Sequence, residues 1–160
     1  MDWVSLRDVI EKAVTVCTGE LKNKVKSFEI QASDGPLSVY TDSEALEQVV
    51  VNLLINAIQA LDKEESWIKI RIAADPSRVD HLNVEVSDNG CGIAPALQNR
   101  IFDPFFTTKP PGTGTGLGLY VCRNLLDELG GEMTVESAPG KGSTFKISLQ
   151  RWRKGHAKLV

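Results

Sequence analysis

The sequence predicts an α+β two-layer sandwich, with helices on one face of a mixed, mostly antiparallel sheet of about five strands. Two observations lead to this fold class. Strand-like segments come mostly in adjacent pairs, which argues against alternating βαβ units, and long apolar helices separate the pairs. A chain of 160 residues that is 42% hydrophobic can bury one compact core. We therefore predict one domain over residues 1–150 and a C-terminal tail over residues 151–160.

The first half of the chain predicts two helices and two short strands. "SLRD" at residues 5–8 has the form of a helix capping box, and apolar periodicity continues to about Cys17. "FEIQAS" and "LSVY" flank Asp34-Gly35-Pro36, which predicts two short strands around a turn. A second capping box, "TDSE" at residues 41–44, begins a long helix that extends to about Leu61.

The second half predicts four strands and one long helix. "WIKIRIAA" and "HLNVEVSD" alternate apolar with polar residues, as half-buried strands do. Residues 89–116 are rich in glycine, proline and threonine, apart from a short helix predicted near residues 95–100. A helix over residues 117–129 ends at Gly130-Gly131, a common C-terminal signal. "EMTVESA" and "STFKISL" then form a strand pair joined by "PGKG".

Composition excludes several functional classes. The net charge of −3 implies no broad basic surface for nucleic acid. No apolar stretch is long enough for a bilayer and no signal-peptide pattern is present, so we expect a soluble, cytoplasmic domain without membrane contact. The sequence leaves open whether a longer parent protein is membrane-anchored. Three distant cysteines without a CxxC pair predict reduced thiols, not a zinc site or disulfide.

Four polar residues form a stripe on the otherwise apolar second long helix. Glu44, Gln48, Asn52 and Asn56 are spaced by four, so they share one helical face. This stripe could simply face water, although asparagine is a mediocre helix former. Two asparagines one turn apart also offer amide oxygens, and a hydrated magnesium ion takes one or two protein oxygens together with phosphates.

Two glycine-containing segments suggest close backbone approach and anion binding. "DNGCGI" at residues 88–93 places an acid and two glycines after a strand. "GTGTGLGL" precedes a helix, so its amides and the helix N-terminus would favour an anion, with Lys109 just upstream as a cation. A flexible surface loop is the alternative. The segment "GKGST" is similar to part of a P-loop but lacks its first glycine. A dinucleotide-binding fingerprint is also excluded, because no βαβ unit surrounds the glycines.

Taken together, four segments in order resemble the boxes of the GHKL superfamily, whose ATP-binding domains have the Bergerat fold. This superfamily includes sensor histidine kinases, DNA gyrase B, MutL and the ninety-kilodalton heat-shock chaperones. "NLLINA" is similar to the N box, "DNGCGI" to the G1 box, "FDPFFTTK" to the F box and "GTGLGL" to the G2 box. The last two are characteristic of histidine kinases. The resemblance covers about residues 3–149.

The resemblance implies a role for each site residue. Asp88 would accept a hydrogen bond from the adenine amine, and Gly90, Gly92 and Ile93 would lie beside the base. Thr144 would reach the same region. Asn52 would be the magnesium ligand and a catalytic residue together with Gln48 and Lys109, while Asn56 would lie near the phosphates. A mobile ATP lid would surround the triphosphate with the segment Gly114, Thr115, Gly116, Leu117 and Gly118. Phe102, Phe105 and Phe106 would anchor the base of this lid.

The resemblance also implies an activity and its partners. Hydrolytic relatives carry a glutamate where this chain has Gln48, which cannot act as a general base, so phosphotransfer to a protein is favoured over ATP hydrolysis. Neither His81 nor His156 lies in a phosphoacceptor motif. The expected partners are therefore a separate dimerisation and phosphoacceptor domain of the parent chain and a downstream response regulator, and the isolated domain would be a monomer. The alternatives are a non-catalytic ATP-binding switch, an anti-sigma-type serine kinase and an ATP hydrolase.

Overall fold

The predicted α+β sandwich is confirmed by a computed structural model, which describes residues 1–107 and 117–151. A five-stranded mixed sheet has helices on one face, and a two-stranded sheet lies beside it. The strands are β1 (Asp2–Ser5), β2 (Ser27–Ala32), β3 (Ser38–Thr41), β4 (Trp67–Ala74), β5 (His81–Asp88), β6 (Glu132–Ala138) and β7 (Gly142–Gln150). The helices are α1 (Leu6–Val16), α2 (Thr18–Lys24), α3 (Ser43–Ala60) and α4 (Gly118–Leu129), and Pro95–Leu97 form one 3₁₀ turn.

The main sheet has the strand order β2-β4-β5-β7-β6. Strands β2 and β4 are parallel, while the other three pairs are antiparallel. Asp88 at the end of β5 stands opposite Ile68 on one side and Ser143 on the other. The last residue of β5 therefore lies in the middle of the sheet, between two neighbouring strands.

One predicted pairing is wrong. Strands β2 and β3 flank the predicted turn, but they do not pair with each other: β2 runs parallel to β4, and β3 pairs antiparallel with β1. The register explains the choice, because Phe28 and Ile30 of β2 stand beside Ile68 and Ile70 of β4 and extend one apolar row. Strand β1 and helix α2 were not predicted. Helix α2 buries only Leu21, so it carries no apolar period that a sequence reading can detect.

Helix termini follow local capping chemistry. The hydroxyl of Ser5 accepts a hydrogen bond from the amide of Asp8, as the first capping box predicts. At α3 the cap is Asp42, whose carboxylate accepts from the amides of Glu44 and Ala45. Thr41, the expected cap, instead ends strand β3. Helix α4 ends at Gly130 with φ of 73°, which confirms the glycine stop.

The core lies between the sheet and the helices. Alternation along three central strands places one apolar row of each on the helix side, where it packs under α3. These rows are Ile68, Ile70 and Ile72 in β4, Leu82, Val84 and Val86 in β5, and Phe145, Ile147 and Leu149 in β7. Their neighbours on the other face include charged side chains. None of the described helices combines the length and apolar character that a membrane crossing requires.

Candidate functional site

A buried carboxylate is the central feature of the site. Asp88 is 3% exposed, and one oxygen accepts a hydrogen bond from the amide of Gly90 at 2.8 Å. Burial raises the pKa of Asp88, while the amides of Gly90 and Ser143 and the charge of Lys63 act in the opposite direction. A carboxyl group held in this way presents a single directed acceptor at the end of a rigid strand.

The two glycines of "DNGCGI" are required by the protein's own backbone. A Cβ at Gly90 would lie 2.2 Å from the carbonyl oxygen of Ala60, at the end of α3. At Gly92, with φ of 72°, it would lie 2.0 Å from the carbonyl oxygen of Ala138. The predicted close approach is therefore present, but the approaching groups are the ends of α3 and β6. The amide of Ile93 donates to the Ser137 hydroxyl at 2.8 Å, which fixes the end of the segment.

Lys63 is part of the site, and sequence reasoning missed it. Its ammonium group donates to the carbonyl oxygens of Asn89 at 2.7 Å and Gly90 at 3.0 Å. It lies in the charged run "DKEES", whose spacing carries no functional signal. Asn89 in turn accepts from the amide of Trp67 and donates to the carbonyl of Glu65. These bonds tie the loop after α3 to the loop after β5.

The polar stripe of α3 faces the beginning of α4. The Gln48 side chain donates to the oxygen of Asn52 at 2.9 Å, and the Asn52 amide is 3.5 Å from the carbonyl oxygen of Gly118. Asn52 and Asn56 are half-buried, whereas Gln48 is exposed. One further turn along the same face, the helix ends at Ala60, beside Gly90. The stripe therefore leads from the N-terminus of α4 to the Asp88 loop.

Helix α4 begins at the predicted place. Gly118 is its first residue, and Leu117 stands at the cap position without a side-chain capping bond. Backbone amides at the start of this helix are thus the ones that an anion would meet. The other predicted phosphate-binding residues, Lys109, Gly114, Thr115 and Gly116, lie outside the described residues.

The placement of Thr144 corrects one predicted contact. Side chains alternate along β7, and the Thr144 hydroxyl is 2.8 Å from that of Ser87 on the helix-free face of the sheet. Asp88 projects to the opposite face. Ser143 shares the Asp88 face, is 6% exposed, and hydrogen-bonds to the Ser137 hydroxyl at 2.8 Å. The residue beside Asp88 is therefore Ser143, one position earlier than predicted.

The three phenylalanines of "FDPFFTTK" divide into two groups. Phe102 and Phe106 pack against the core, and the guanidinium groups of Arg123 and Arg100 lie over their rings at 4.7 Å and 4.8 Å. Phe105 is 73% exposed and has a φ of 64°. The predicted anchoring role is confirmed for Phe102 and Phe106 and is wrong for Phe105.

A metal ion at this site would be coordinated by side-chain amide oxygens together with oxygens of phosphate and water. Within residues 1–107 and 117–151, no group of three His, Cys, Asp or Glu side chains is placed to hold a metal. The Asn52 oxygen accepts one hydrogen bond from Gln48 and keeps a second lone pair. Such a site fits magnesium, which takes few protein ligands and completes its shell with phosphates and water.

The fold and the site define a class of protein: an α+β sandwich with a buried carboxylate in the sheet and a stripe of side-chain amides on the covering helix. The family model for histidine kinase-, DNA gyrase B-, and HSP90-like ATPases matches residues 41–153. The chain belongs to this family.

Individual relatives are sensor histidine kinases. The chain is 35% identical over 149 residues to the sensor histidine kinase ZraS of Salmonella typhimurium, covering 93% of this chain and 31% of ZraS. It is 40% identical over 148 residues to the histidine-protein kinase AtoS of Escherichia coli, covering 91% and 23%. The solved catalytic domain of histidine kinase ThkA matches with a TM-score of 0.80 and 30% identity, covering 94% of this chain and 95% of that one. The chain thus spans under a third of the two curated relatives but nearly all of a catalytic domain.

Proposed function

We propose that this chain is the ATP-binding catalytic domain of a sensor histidine kinase. It binds Mg-ATP and transfers the γ-phosphate to a histidine on a separate dimerisation domain, in two-component signal transduction. The observation that carries the proposal is the buried Asp88 carboxylate at one end of an amide stripe whose other end meets the start of α4. The stripe from Asn52 to Ala60 spans about 12 Å of helix axis, which suits an extended nucleoside triphosphate.

Asp88 selects the base. An ionised carboxylate only accepts hydrogen bonds, so it pairs with the exocyclic amine of adenine and repels the carbonyl oxygen that guanine presents instead. The backbone contacts at Gly90 and Gly92 hold this acceptor in place, because they leave the loop no room to shift. Ser143 closes the same face of the pocket.

Asn52 and the N-terminus of α4 form the phosphate-binding part of the proposed site. Asn52 would hold the magnesium ion, which neutralises charge on the transferring phosphoryl group. The amides at the beginning of α4 donate to phosphate oxygens, and Lys109 with Gly114, Thr115 and Gly116 would complete this shell.

Gln48 orients Asn52 and does not activate water. An amide has no basic lone pair near neutral pH, so it cannot take a proton from an attacking water molecule. Its bond to Asn52 fixes the side chain that would hold the metal. The nucleophile is then a neutral imidazole from the dimerisation domain, which needs no general base.

The partners follow from the length of the relatives. Because ZraS and AtoS extend well beyond the matched region, the parent of this chain would carry the phosphoacceptor domain, and a response regulator would receive the phosphate. The domain itself would be a cytoplasmic monomer. Transfer of labelled γ-phosphate to the cognate dimerisation domain, as an acid-labile phosphohistidine, tests the proposal. ATP binding without transfer would favour a switch, phosphoserine an anti-sigma-type kinase, and partner-free turnover a hydrolase.

Replacing Asn52 with alanine should remove the magnesium-dependent part of ATP binding. We expect about a tenfold weaker Kd in magnesium and little change in EDTA, because the lost group is an oxygen ligand of the ion. Calorimetric titrations of both proteins in both buffers measure this difference. Glu44→Ala, on the same stripe two turns earlier, is the matched control and should behave as the parent. Equal ATP affinity of the parent with and without magnesium would refute the role of Asn52.

Substitutions at two adjacent residues test which one faces the base. Thr144→Val should leave ATP affinity within about twofold, since its side chain lies on the other face of the sheet. Ser143→Val adds bulk beside Asp88 and should weaken ATP at least about fivefold. Fluorescence competition with a labelled nucleotide measures both, and thermal unfolding checks that each variant is folded. A larger effect at Thr144 than at Ser143 would restore the original prediction.

A further inference from the structure

Lys63 follows helix α3 closely and bonds to the loop that carries Asp88. Its ammonium group donates to the carbonyl oxygens of Asn89 at 2.7 Å and Gly90 at 3.0 Å. The third contact, with the Asp62 carboxylate, is longer at 3.3 Å, and both side chains of that pair are exposed. An ammonium group has three N–H donors, so these three contacts use its full capacity. A surface ion pair of this kind is weak, and the two carbonyl contacts therefore define where Lys63 acts.

One peptide group connects Lys63 with Asp88. The carbonyl of Asn89 and the N–H of Gly90 belong to the same planar unit, so they point in opposite directions. The oxygen accepts from Lys63, and the N–H donates to the Asp88 carboxylate at 2.8 Å. The ammonium, the peptide and the carboxylate form one chain of hydrogen bonds with an opposite charge at each end. Such a chain polarises its members, so the cation makes this N–H a stronger donor to the carboxylate.

The next peptide group fixes the same loop to helix α3. The carbonyl of Gly90 and the N–H of Cys91 belong to this unit. Its oxygen accepts from Lys63, and its N–H donates to the carbonyl oxygen of Ala60 at 2.9 Å. Lys63 therefore binds two successive peptide oxygens and sets the orientation of both planes. The first of these planes is the one that directs its N–H at Asp88.

The charge balance around Asp88 gives Lys63 a second effect. Burial raises the pKa of Asp88 and the Asp62 charge adds to this, whereas backbone amides and the Lys63 charge lower it. The residues that α3, β4, β6 and β7 place beside Asp88 or its loop are uncharged: Ala60, Ile68, Ala138 and Ser143. Glu65, on the same loop as Lys63, is paired with Lys26. Among the described groups that act on this carboxyl, Lys63 is therefore the one that brings a positive charge.

We propose that Lys63 is a positioning residue for base recognition, which aims the Gly90 N–H at Asp88 and keeps that carboxylate ionised at neutral pH. This role rests on the proposed function, in which Asp88 accepts a hydrogen bond from the adenine amine. A protonated carboxyl group presents a donor as well, and it no longer excludes the carbonyl oxygen of guanine. Loss of Lys63 therefore weakens ATP binding most where Asp88 is close to taking up a proton.

Lys63→Met tests this role, because it removes the charge and the donors but keeps a side chain of similar reach. In the nucleotide-free 160-residue chain, the ¹³C shift of the Asp88 carboxyl carbon is followed against pH. Its titration midpoint should move to higher pH in Lys63→Met, since the lost cation favoured the ionised form. Lys63→Arg keeps the charge and offers donors, so it should return the midpoint towards the parent value. Thermal unfolding checks that both variants are folded.

ATP titrations over the same pH range give the second readout. At about pH 8 the Kd of Lys63→Met should lie within about twofold of the parent's, and at about pH 5 binding should be about fivefold weaker. The difference widens as the pH falls, because only the ionised form of Asp88 binds the adenine amine as a pure acceptor.

Lys26→Met is the matched control, since its ammonium group pairs with Glu65 of the same loop instead of with the two peptides. Its Asp88 titration and ATP affinity should equal those of the parent. An unmoved midpoint in Lys63→Met, or an equal shift in Lys26→Met, would refute the role of Lys63. A loss of ATP affinity by one factor at every pH would also refute it, because it would show a structural contact alone. Failure of the parent to bind ATP would refute the proposed function instead, since the carboxyl titration needs no nucleotide.

Discussion

Replacing Asp88 with asparagine is expected to weaken ATP binding about ten- to hundredfold. The substitution keeps the size of the side chain, so the surrounding backbone has no steric reason to move. It exchanges a charged acceptor for an amide that offers donors as well, and the adenine amine then loses a charge-assisted bond in a buried place. Isothermal titration calorimetry of ATP into parent and variant measures the change directly.

Asp62→Asn supplies the matched control. Asp62 is an exposed carboxylate beside Lys63, near the same loop, so its loss alters local charge without touching the pocket floor. We expect the ATP affinity of Asp62→Asn to change by less than about twofold, because substitutions on the surface usually have small effects. Discrimination between ATP and GTP should also fall in Asp88→Asn, because the amide tolerates a carbonyl. Unchanged ATP affinity would remove Asp88 from the site.

The same carboxylate predicts a pH dependence. Burial raises the pKa of Asp88 in the folded protein, so the group takes up a proton at a higher pH than an ordinary aspartate. Its ionised form therefore costs stability at neutral pH, and this cost disappears as the pH falls through the folded pKa. ATP affinity should fall over the same interval, because the protonated group becomes a donor. The Asp88→Asn variant should lack this dependence and unfold no more easily than the parent.

Replacing Gly142 with alanine is expected to destabilise the fold by about 3–5 kcal/mol. Its φ is 84°, which alanine adopts only with strain, and the added Cβ would lie 2.0 Å from the carbonyl oxygen of Asp88. The atoms that the added Cβ would meet belong to the backbone of Asp88 and Asn89, so they cannot rotate away as a side chain could. Thermal and denaturant unfolding should show a midpoint lower by about 10 °C or more.

Gly140 provides an internal comparison two residues away. It has a φ of 75°, yet nothing lies within 4 Å of an added Cβ. Gly140→Ala should therefore cost only the backbone strain, about 1 kcal/mol. The difference between the two variants isolates the collision with Asp88. Similar midpoints for both would mean that the strand end yields and that the Asp88 position is not rigid.

Much of the fold could be predicted because local signals agreed with tertiary packing. Alternation of apolar and polar residues predicted β4 and β5. The glycine at position 130 predicted the end of α4, and in the structure it adopts the left-handed conformation that ends the helix. The candidate site was inferred from "DNGCGI" and from the amides spaced by four, because a turn needs only one glycine and asparagine is a mediocre former of an apolar helix.

The failures share a cause: they depend on partners that are distant in sequence. Strand β2 was assigned to its neighbour β3, although a parallel partner about forty residues later fits its apolar row better. Thr144 was inferred from the resemblance, whereas the pairing of β7 with β5 is what places Ser143 beside Asp88 and Thr144 beside Ser87. Lys63 joins the site through the backbone carbonyls of Asn89 and Gly90, and backbone groups leave no trace in the side-chain pattern.

The carbonyl of Ala60 has a consequence for inhibitor design. It accepts from the amide of Cys91 at 2.9 Å and also fills the space beside Gly90, so that main chain rests on main chain behind the Asp88 carboxylate. Main-chain atoms have no alternative rotamers, so this surface cannot adjust its shape to a bound compound. A side-chain substitution also does little to alter it. A compound anchored there would meet the same rigid shape in any protein that shares this junction, so selectivity must be sought in contacts with side chains around the rim.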